Sequence, residues 1–509
     1  MKLSRNGSCG LCAIRPLHNV IHPALILLCA AFTLGGCRVG PKYVRPDMPT
    51  APAASYKEAQ PGNEQAQANG WRMANPQDEM LRGKWWEIFG DPQLNALEEK
   101  LVINNQNIKQ YFENYMAARA LVQNARSSLF PTLSLAPTYS AQGAGPSSTA
   151  TLSSSTSSRS YLLPLSVSWE PDLFGKVRNT IREEANAAQL SAANLANETL
   201  SEQASLAEYY FELRGEDALA DLYDKTTASY KESLRLTQTL SNTGIDTDQD
   251  VAEAESNLRS AEANAVAVRT TRAQYEHAIA LLIGESASSF SLAPMPLEVK
   301  VPYVPTGVPS QLLERRPDIA AAERTMAEMN ALIGVGKAAY FPSLSLSAEG
   351  GTQSSDVTKL LNYGARYWSL GGSISETLLD FGARRATVRN YEAQYNASVA
   401  NYRQTVLSAF KEVEDYLVAN RQLAEQTGRE KLAVDAAQRY ERLATTRYRT
   451  GIDTYLNVLT AQNSLFSAQQ TMVSLETNQM TSAVHLIAAL GGGWNATNLP
   501  GEKQVASRP

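Results

Sequence analysis

The sequence predicts a mixed α and β membrane protein: a tandem-repeat protomer with four transmembrane β-strands and long coiled-coil helices, pooled with other copies of itself. Three observations carry that prediction. The chain opens on an export signal that ends at a cysteine, it contains one unit written twice, and each unit sets short two-faced strands beside helical runs far too long for a compact domain.

Residues 1–36 read as the signal. Lys2, Arg5 and Arg15 make a positive start without an acid, and Ala24 to Leu34 is almost wholly apolar. That run is too short to span a bilayer and fits a signal core. It ends in Leu34-Gly35-Gly36-Cys37, which resembles the lipobox of bacterial lipoproteins. Cleavage before Cys37 would leave a lipid-bearing N-terminus, and covalent lipid on Cys37 is the only non-protein group expected. Arg38 stands where an Asp would signal inner-membrane retention, which favours the outer membrane.

Processing also removes Cys9, Cys12 and Cys29, so the Cys9-Cys12 pair is accidental and the mature chain keeps one cysteine. A disulfide or a thiolate metal cluster is thereby excluded. The net charge of −5 includes three signal cations and becomes −8 on processing. An acidic surface gives no reason to expect nucleic acid. His277 and His485 lie on predicted helices without a neighbouring histidine, so neither is expected to ligate metal.

Leu129-Phe-Pro-Thr-Leu-Ser-Leu135 returns as Tyr340-Phe-Pro-Ser-Leu-Ser-Leu346, 211 residues later. Phe174-Gly175 returns as Phe381-Gly382, and Thr243-Gly-Ile-Asp246 as Thr450-Gly-Ile-Asp453, both at 207. An offset held this long marks a tandem duplication. The expected layout is signal 1–36, lipidated N-terminal segment 37–93, first repeat 94–292, proline-rich linker 293–310, second repeat 311–492 and tail 493–509.

Each repeat reads as a helix (94–127 and 311–338), two strands, then two very long helices (176–240 and 247–284; 383–448 and 454–490). The stretch from Arg178 to Leu213 is rich in Ala, Leu, Glu and Gln and has no proline. About 65 residues at 1.5 Å each make a rod on the order of 100 Å, which must pack against other rods as a coiled coil.

The strands are expected at 129–142, 160–170, 341–352 and 366–376. Leu133, Leu135, Tyr139 and Ala141 alternate with Thr132, Ser134, Thr138 and Ser140. Leu163, Leu165, Val167 and Trp169 alternate with Ser166 and Ser168; Trp368, Leu370 and Ile374 with Ser369, Ser373 and Ser375. Segments of about ten residues with this pattern are the signature of a membrane β-barrel. Pro137 and Pro164 cannot donate to a ladder, so each should sit at a bulge or a strand end. Four strands cannot close a barrel, because lipid tolerates no open edge. Copies must combine; their number does not follow from the pattern.

Four boxes then carry a family resemblance over nearly the whole mature chain. They are Val39-Gly-Pro-Lys-Tyr43, Lys84-Trp-Trp-Glu-Ile-Phe-Gly-Asp-Pro-Gln-Leu94, Leu312-Leu-Glu-Arg-Arg-Pro-Asp-Ile319 and Tyr448-Arg-Thr-Gly451. The chain resembles the TolC-like outer-membrane factors, in their lipoprotein (OprM- and NodT-like) branch. That resemblance implies a homotrimer whose strands form a 12-stranded barrel continued by a periplasmic α-helical barrel. It also implies a periplasmic adaptor and an inner-membrane pump of RND type as partners, with the duct passing drugs, solvents or other small molecules. The alternative within the same fold is the duct of a type I protein secretion system; outside it, a structural coiled-coil lipoprotein without a pore.

In relatives the periplasmic tip is closed near the two interhelical turns, which implies gate positions at Asp250, Glu253, Asp453, Leu456 and Asn457. Asp250 reads equally well as gate or helix cap. Asp246 reads better as a cap, and Arg447 and Arg449 are the candidate partners for an Asp250 ring. No enzyme is expected. Ala331-Leu-Ile-Gly-Val-Gly336-Lys337-Ala338 lacks the first Gly and the Ser/Thr of a P-loop. Asp380-Phe-Gly382 has no catalytic loop, and its twin Asp172-Leu-Phe-Gly175 marks it as a strand-to-helix turn.

Overall fold

A computed structural model describes residues 38–46, 56–58, 83–143, 157–302, 304 and 312–507. Cys37, the signal, most of the 143–159 loop and part of the proline-rich linker lie outside these residues. The chain forms two compact units. One comprises the residues up to Pro41 with Ser128–Asn179 and Gly334–Arg385; the other comprises Lys42–Ser127, Thr180–Ile333 and Ala386–Pro509.

The duplication is visible in element lengths. Helix α3 (Lys176–Asn242) and helix α7 (Ala383–Arg449) both run 67 residues, and α4 (Asp248–Leu282) and α8 (Tyr455–Ala489) both run 35. Each pair is offset by 207. The shorter helices α2 (Gln106–Ser127) and α6 (Pro317–Ala338) both run 22, offset by 211. Two helices expected to be continuous are broken. The first splits into α1 (Pro92–Asn104) and α2 at Asn105, which leaves helical geometry at ψ 127°. The Asn105 amide donates to Glu202 at 3.1 Å and to the Leu282 carbonyl at 3.0 Å, while its oxygen caps Ile108 N at 2.9 Å. Its counterpart splits into α5 (Leu312–Arg315) and α6, because Pro317 cannot continue a helix but starts one well.

The first unit holds one antiparallel sheet: β1 (Thr132–Leu135), β2 (Thr138–Gly143), β3 (Ser157–Trp169), β4 (Ser343–Ser354) and β5 (Arg366–Ser375). The order is β1/β2–β3–β4–β5, so the five segments make four strand passes. The first pass breaks at Ala136-Pro137, where a strand end was expected. Pro164 corrects its own expectation. It lies inside β3, opposite Gly351 in the β4 ladder. The chain tolerates it because the other ladder jumps from Leu165↔Leu135 to Leu162↔Thr138, so both prolines share one unpaired interval. Gly351 is needed there: a Cβ would lie 2.2 Å from the Leu163 carbonyl oxygen.

Alternation along the strands holds. Leu133↔Val167, Leu344↔Ile374 and Ala348↔Leu370 share one face, and Ser134↔Ser166 and Ser345↔Ser373 share the other. The apolar face is uncovered: Leu133, Leu135, Trp368, Leu370 and Ile374 are all exposed. Among the described residues no helix is long and apolar enough to cross a membrane.

The helical unit owns the core. Trp85, Trp86 and Phe89 of a short 3-10 turn pack with Leu94, Leu101, Tyr210, Phe211, Ile279 and Val484. Asp91 caps α1 through Gln93 N and Leu94 N and accepts from the Tyr210 hydroxyl at 2.6 Å. Arg316 binds Asp318 at 2.6 Å, Glu412 at 2.7 Å and the Ala489 carbonyl at 3.1 Å, joining α6, α7 and α8. The tryptophan box and the Arg-Arg-Pro-Asp box are thus structural clasps.

Candidate functional site: the interhelical turns

Each long helical hairpin turns on a glycine in the left-handed region, Gly244 at φ 79° and Gly451 at φ 72°. Both turns close the same way. Ile245 N donates to Leu240 O at 3.0 Å and Gly244 N to Ser241 O at 2.9 Å; Ile452 N donates to Arg447 O and Gly451 N to Tyr448 O, both at 2.9 Å. These paired bonds satisfy the last carbonyls of α3 and α7. Any Cβ at either glycine would be strained at that φ.

The following helices start differently. Thr247 caps α4, and Asp250 completes a capping box: the Thr247 backbone N donates to Asp250 Oδ2 at 3.1 Å and the Thr247 hydroxyl at 2.6 Å. A carboxylate in the first turn also favours the helix dipole. Asp246, expected to cap, does not. It accepts a hydrogen bond from the Tyr448 hydroxyl, whose oxygen also lies 3.3 Å from the Thr237 hydroxyl oxygen. A residue of the second hairpin thereby holds the turn of the first. Burial, with Asp246 beside it, pushes the Tyr448 hydroxyl far above the usual tyrosine range.

Arg447 is also not where the charge argument put it. It pairs with Asp453 of its own turn at 3.2 Å, not with Asp250. Asn457 donates to Asp453, and this bond, with the Thr454 backbone and Arg447, holds the Asp453 carboxyl below the usual carboxylate range. Leu456 is 57% exposed and has no place in the core beneath it. Glu253 is half-buried on α4. Beneath both turns Ala254, Tyr448, Tyr455, Val458 and Leu459 form one buried cluster with Leu234, Leu236 and Leu240. The five expected positions therefore fall into two groups, Asp250 with Glu253 on the first hairpin and Asp453, Leu456 and Asn457 on the second. Sequence reading missed Tyr448 and Thr237. Tyr448 stood inside a quoted box, but nothing local to it shows that its hydroxyl reaches a residue 202 positions away.

Elsewhere His277 is exposed, and His485 stacks on Tyr416 with Glu208 at 3.6 Å. Among the described residues no three His, Cys, Asp or Glu side chains gather as a metal site.

Comparison with known proteins gives the class. A family model described as outer membrane efflux protein matches residues 97–285 and 308–492, and the chain belongs to that family. The break between the two matched stretches falls between the two repeats. A probable efflux pump outer membrane protein, TtgC of Pseudomonas putida, is 34% identical over 477 residues, covering 92% of this chain and 95% of the relative. The solved outer-membrane channel OprN superposes with a TM-score of 0.80 at 29% identity, over 90% of this chain and 100% of that one. The open state of the Neisseria gonorrhoeae channel MtrE gives 0.76 at 26%, over 90% and 99%.

Proposed function

We propose that this protein is the exit duct of a tripartite efflux system. It passively conducts drugs, solvents or other small molecules that a periplasmic adaptor and an inner-membrane pump of RND type deliver to it. The observation that carries the proposal is the sheet. Its apolar face is exposed, its outer strands β1/β2 and β5 each pair on one edge alone among the described residues, and lipid accepts no open strand edge. Three copies supply the twelve strands of one closed barrel, and the paired hairpins pool into a hollow helical cylinder. Relatives named as antibiotic and toluene efflux pump outer membrane proteins support the choice of cargo. No observation favours protein secretion.

Lipid on Cys37 belongs to the same proposal. The chain just after it is held at the corner between β3 and α3: Val39 N donates to Phe174 O at 3.2 Å, and Asn179 donates to Val39 O at 2.9 Å. Gly40 lies against Gly334, where a Cβ would come within 2.8 Å of Gly334 Cα. This anchoring of Val39 and Gly40 beside the β3–α3 corner supports a lipid on Cys37, two residues before Val39, as a tether at the bilayer surface.

The gate proposed is the pair of interhelical turns. The Tyr448–Asp246 bond latches one hairpin to the other, Leu456 supplies an apolar ring that excludes water, and Asp250, Glu253, Asp453 and Asn457 surround it. The experiment is single-channel recording in planar bilayers. Stepwise conductance is expected from purified protein. Its absence from oligomer that has inserted would reject the duct in favour of a coiled-coil lipoprotein without a pore.

A further inference from the structure

In the proposed barrel the apolar face of the sheet meets lipid, so the Ser/Thr face lines the lumen. Three charged side chains lie on the described strands: Arg159, Glu349 and Arg366. Arg159 pairs opposite Ala141 and Arg366 opposite Thr352, which puts both on the apolar face at the loop ends of their strands. Glu349 pairs opposite Ser166 and Ser369. It is therefore the one charge on the Ser/Thr face among the described strand residues, and it stands near the middle of β4. An ionisable group at that depth is costly in lipid and belongs on a water-filled path.

Neighbouring strands hold the carboxylate in place. The Tyr367 hydroxyl of β5 donates to Glu349 Oε1 at 2.6 Å, and the Ser166 hydroxyl of β3 donates to Oε2 at 3.4 Å. Both partners are neutral, so neither cancels the charge, and the side chain stays half-buried against the wall. The duplication supplies a comparison within the chain. β1 with β2 is the twin of β4 at 211 residues and β3 the twin of β5 at 207, so Thr138↔Leu162 corresponds to Glu349↔Ser369. The first hairpin thus carries uncharged Thr138 where the second carries Glu349.

We propose that Glu349 is a specificity-determining residue of the duct: one carboxylate per copy forms a ring halfway along the barrel that favours cations and cationic cargo over anions. Dimensions decide whether such a ring is felt. Twelve strands about 4.8 Å apart and tilted by about 40° set the wall roughly 12 Å from the axis. Glu349 projects inward from that wall. Its field crosses the lumen in about 0.1 M salt, where the Debye length is about 10 Å, and falls short in about 1 M salt, where it is about 3 Å. The inference rests on the trimeric duct and adds the charge class that its barrel prefers.

The test is the reversal potential of single channels of the full processed protein in planar bilayers under a potassium chloride gradient. Acids at the interhelical turns stay in place in every variant, so differences between variants report the barrel. Glu349→Gln should lower the permeability ratio of potassium over chloride by about twofold or more in dilute salt, and the difference should fade near 1 M. Glu349→Asp keeps the charge while shortening the reach to Tyr367, and should keep most of the preference. Thr138→Glu adds a second carboxylate per copy at the twin position and should raise the ratio. An unchanged reversal potential in conducting Glu349→Gln channels overturns the ring and leaves the duct standing. Equal loss in the Gln and Asp variants also overturns it, because the side chain would then act as a brace between strands. Absence of conductance from inserted wild-type oligomer overturns both the ring and the duct.

Discussion

At the scale of residues, two side chains carry consequences that their neighbours in sequence do not announce. Glu98 is fully buried on α1, and neither carboxyl oxygen has a hydrogen-bond partner among the described residues. Burial holds its carboxyl well above the usual carboxylate range. A group raised on folding favours the folded state below its unfolded value of about 4.3 and loses that contribution as pH rises through the folded one. Glu98→Gln should therefore stabilise the helical unit by about 1–3 kcal/mol at pH 8 and change little at pH 4. Denaturant unfolding at the two pH values checks this, and an equal gain at both would contradict it. Tyr448 is the second. Its hydrogen bond to the Asp246 carboxylate is of a kind worth about 1.5–3 kcal/mol. Tyr448→Phe should raise the open fraction of single channels roughly tenfold, with an unchanged fraction as the contrary result. Glycine turns and the acids around them were legible in the repeated Thr-Gly-Ile-Asp motif. The latch was not, because it joins side chains from two hairpins that sequence spacing alone does not bring together.

At the scale of elements, periodicity was a good guide wherever one face of an element differs from the other. The alternating strands fall within a few residues of expectation, and the long helices end at their glycine turns. Breaks were harder to see. Asn105 interrupts a helix through hydrogen bonds to Glu202 and Leu282, both distant in sequence, and Pro164 stays within a strand because Pro137 stands near it across the ladder. In each case tertiary contact decides what local propensity leaves open. Gly351 shows the reverse, a close approach that only glycine permits. Gly351→Val would set its Cβ 2.2 Å from the Leu163 carbonyl oxygen, so the β3–β4 ladder should fail. Heat-resistant oligomer on a gel should be lost while far-ultraviolet helicity is largely kept; normal oligomer yield would contradict the ladder.

At the scale of the whole molecule, the tandem duplication governs the rest. Two equal sets of helices, 67 and 35 residues, and two hairpins in matching register leave a protomer whose strand edges and apolar sheet face look for a copy of themselves. That incompleteness was readable from four strands and no more; the number of copies was not, since nothing in one chain counts its neighbours. The proposed duct needs closure by three copies. Native mass measurement of the detergent-extracted protein tests it most directly: a trimer that survives mild detergent is expected, and a stable, folded monomer would contradict both the barrel and the duct.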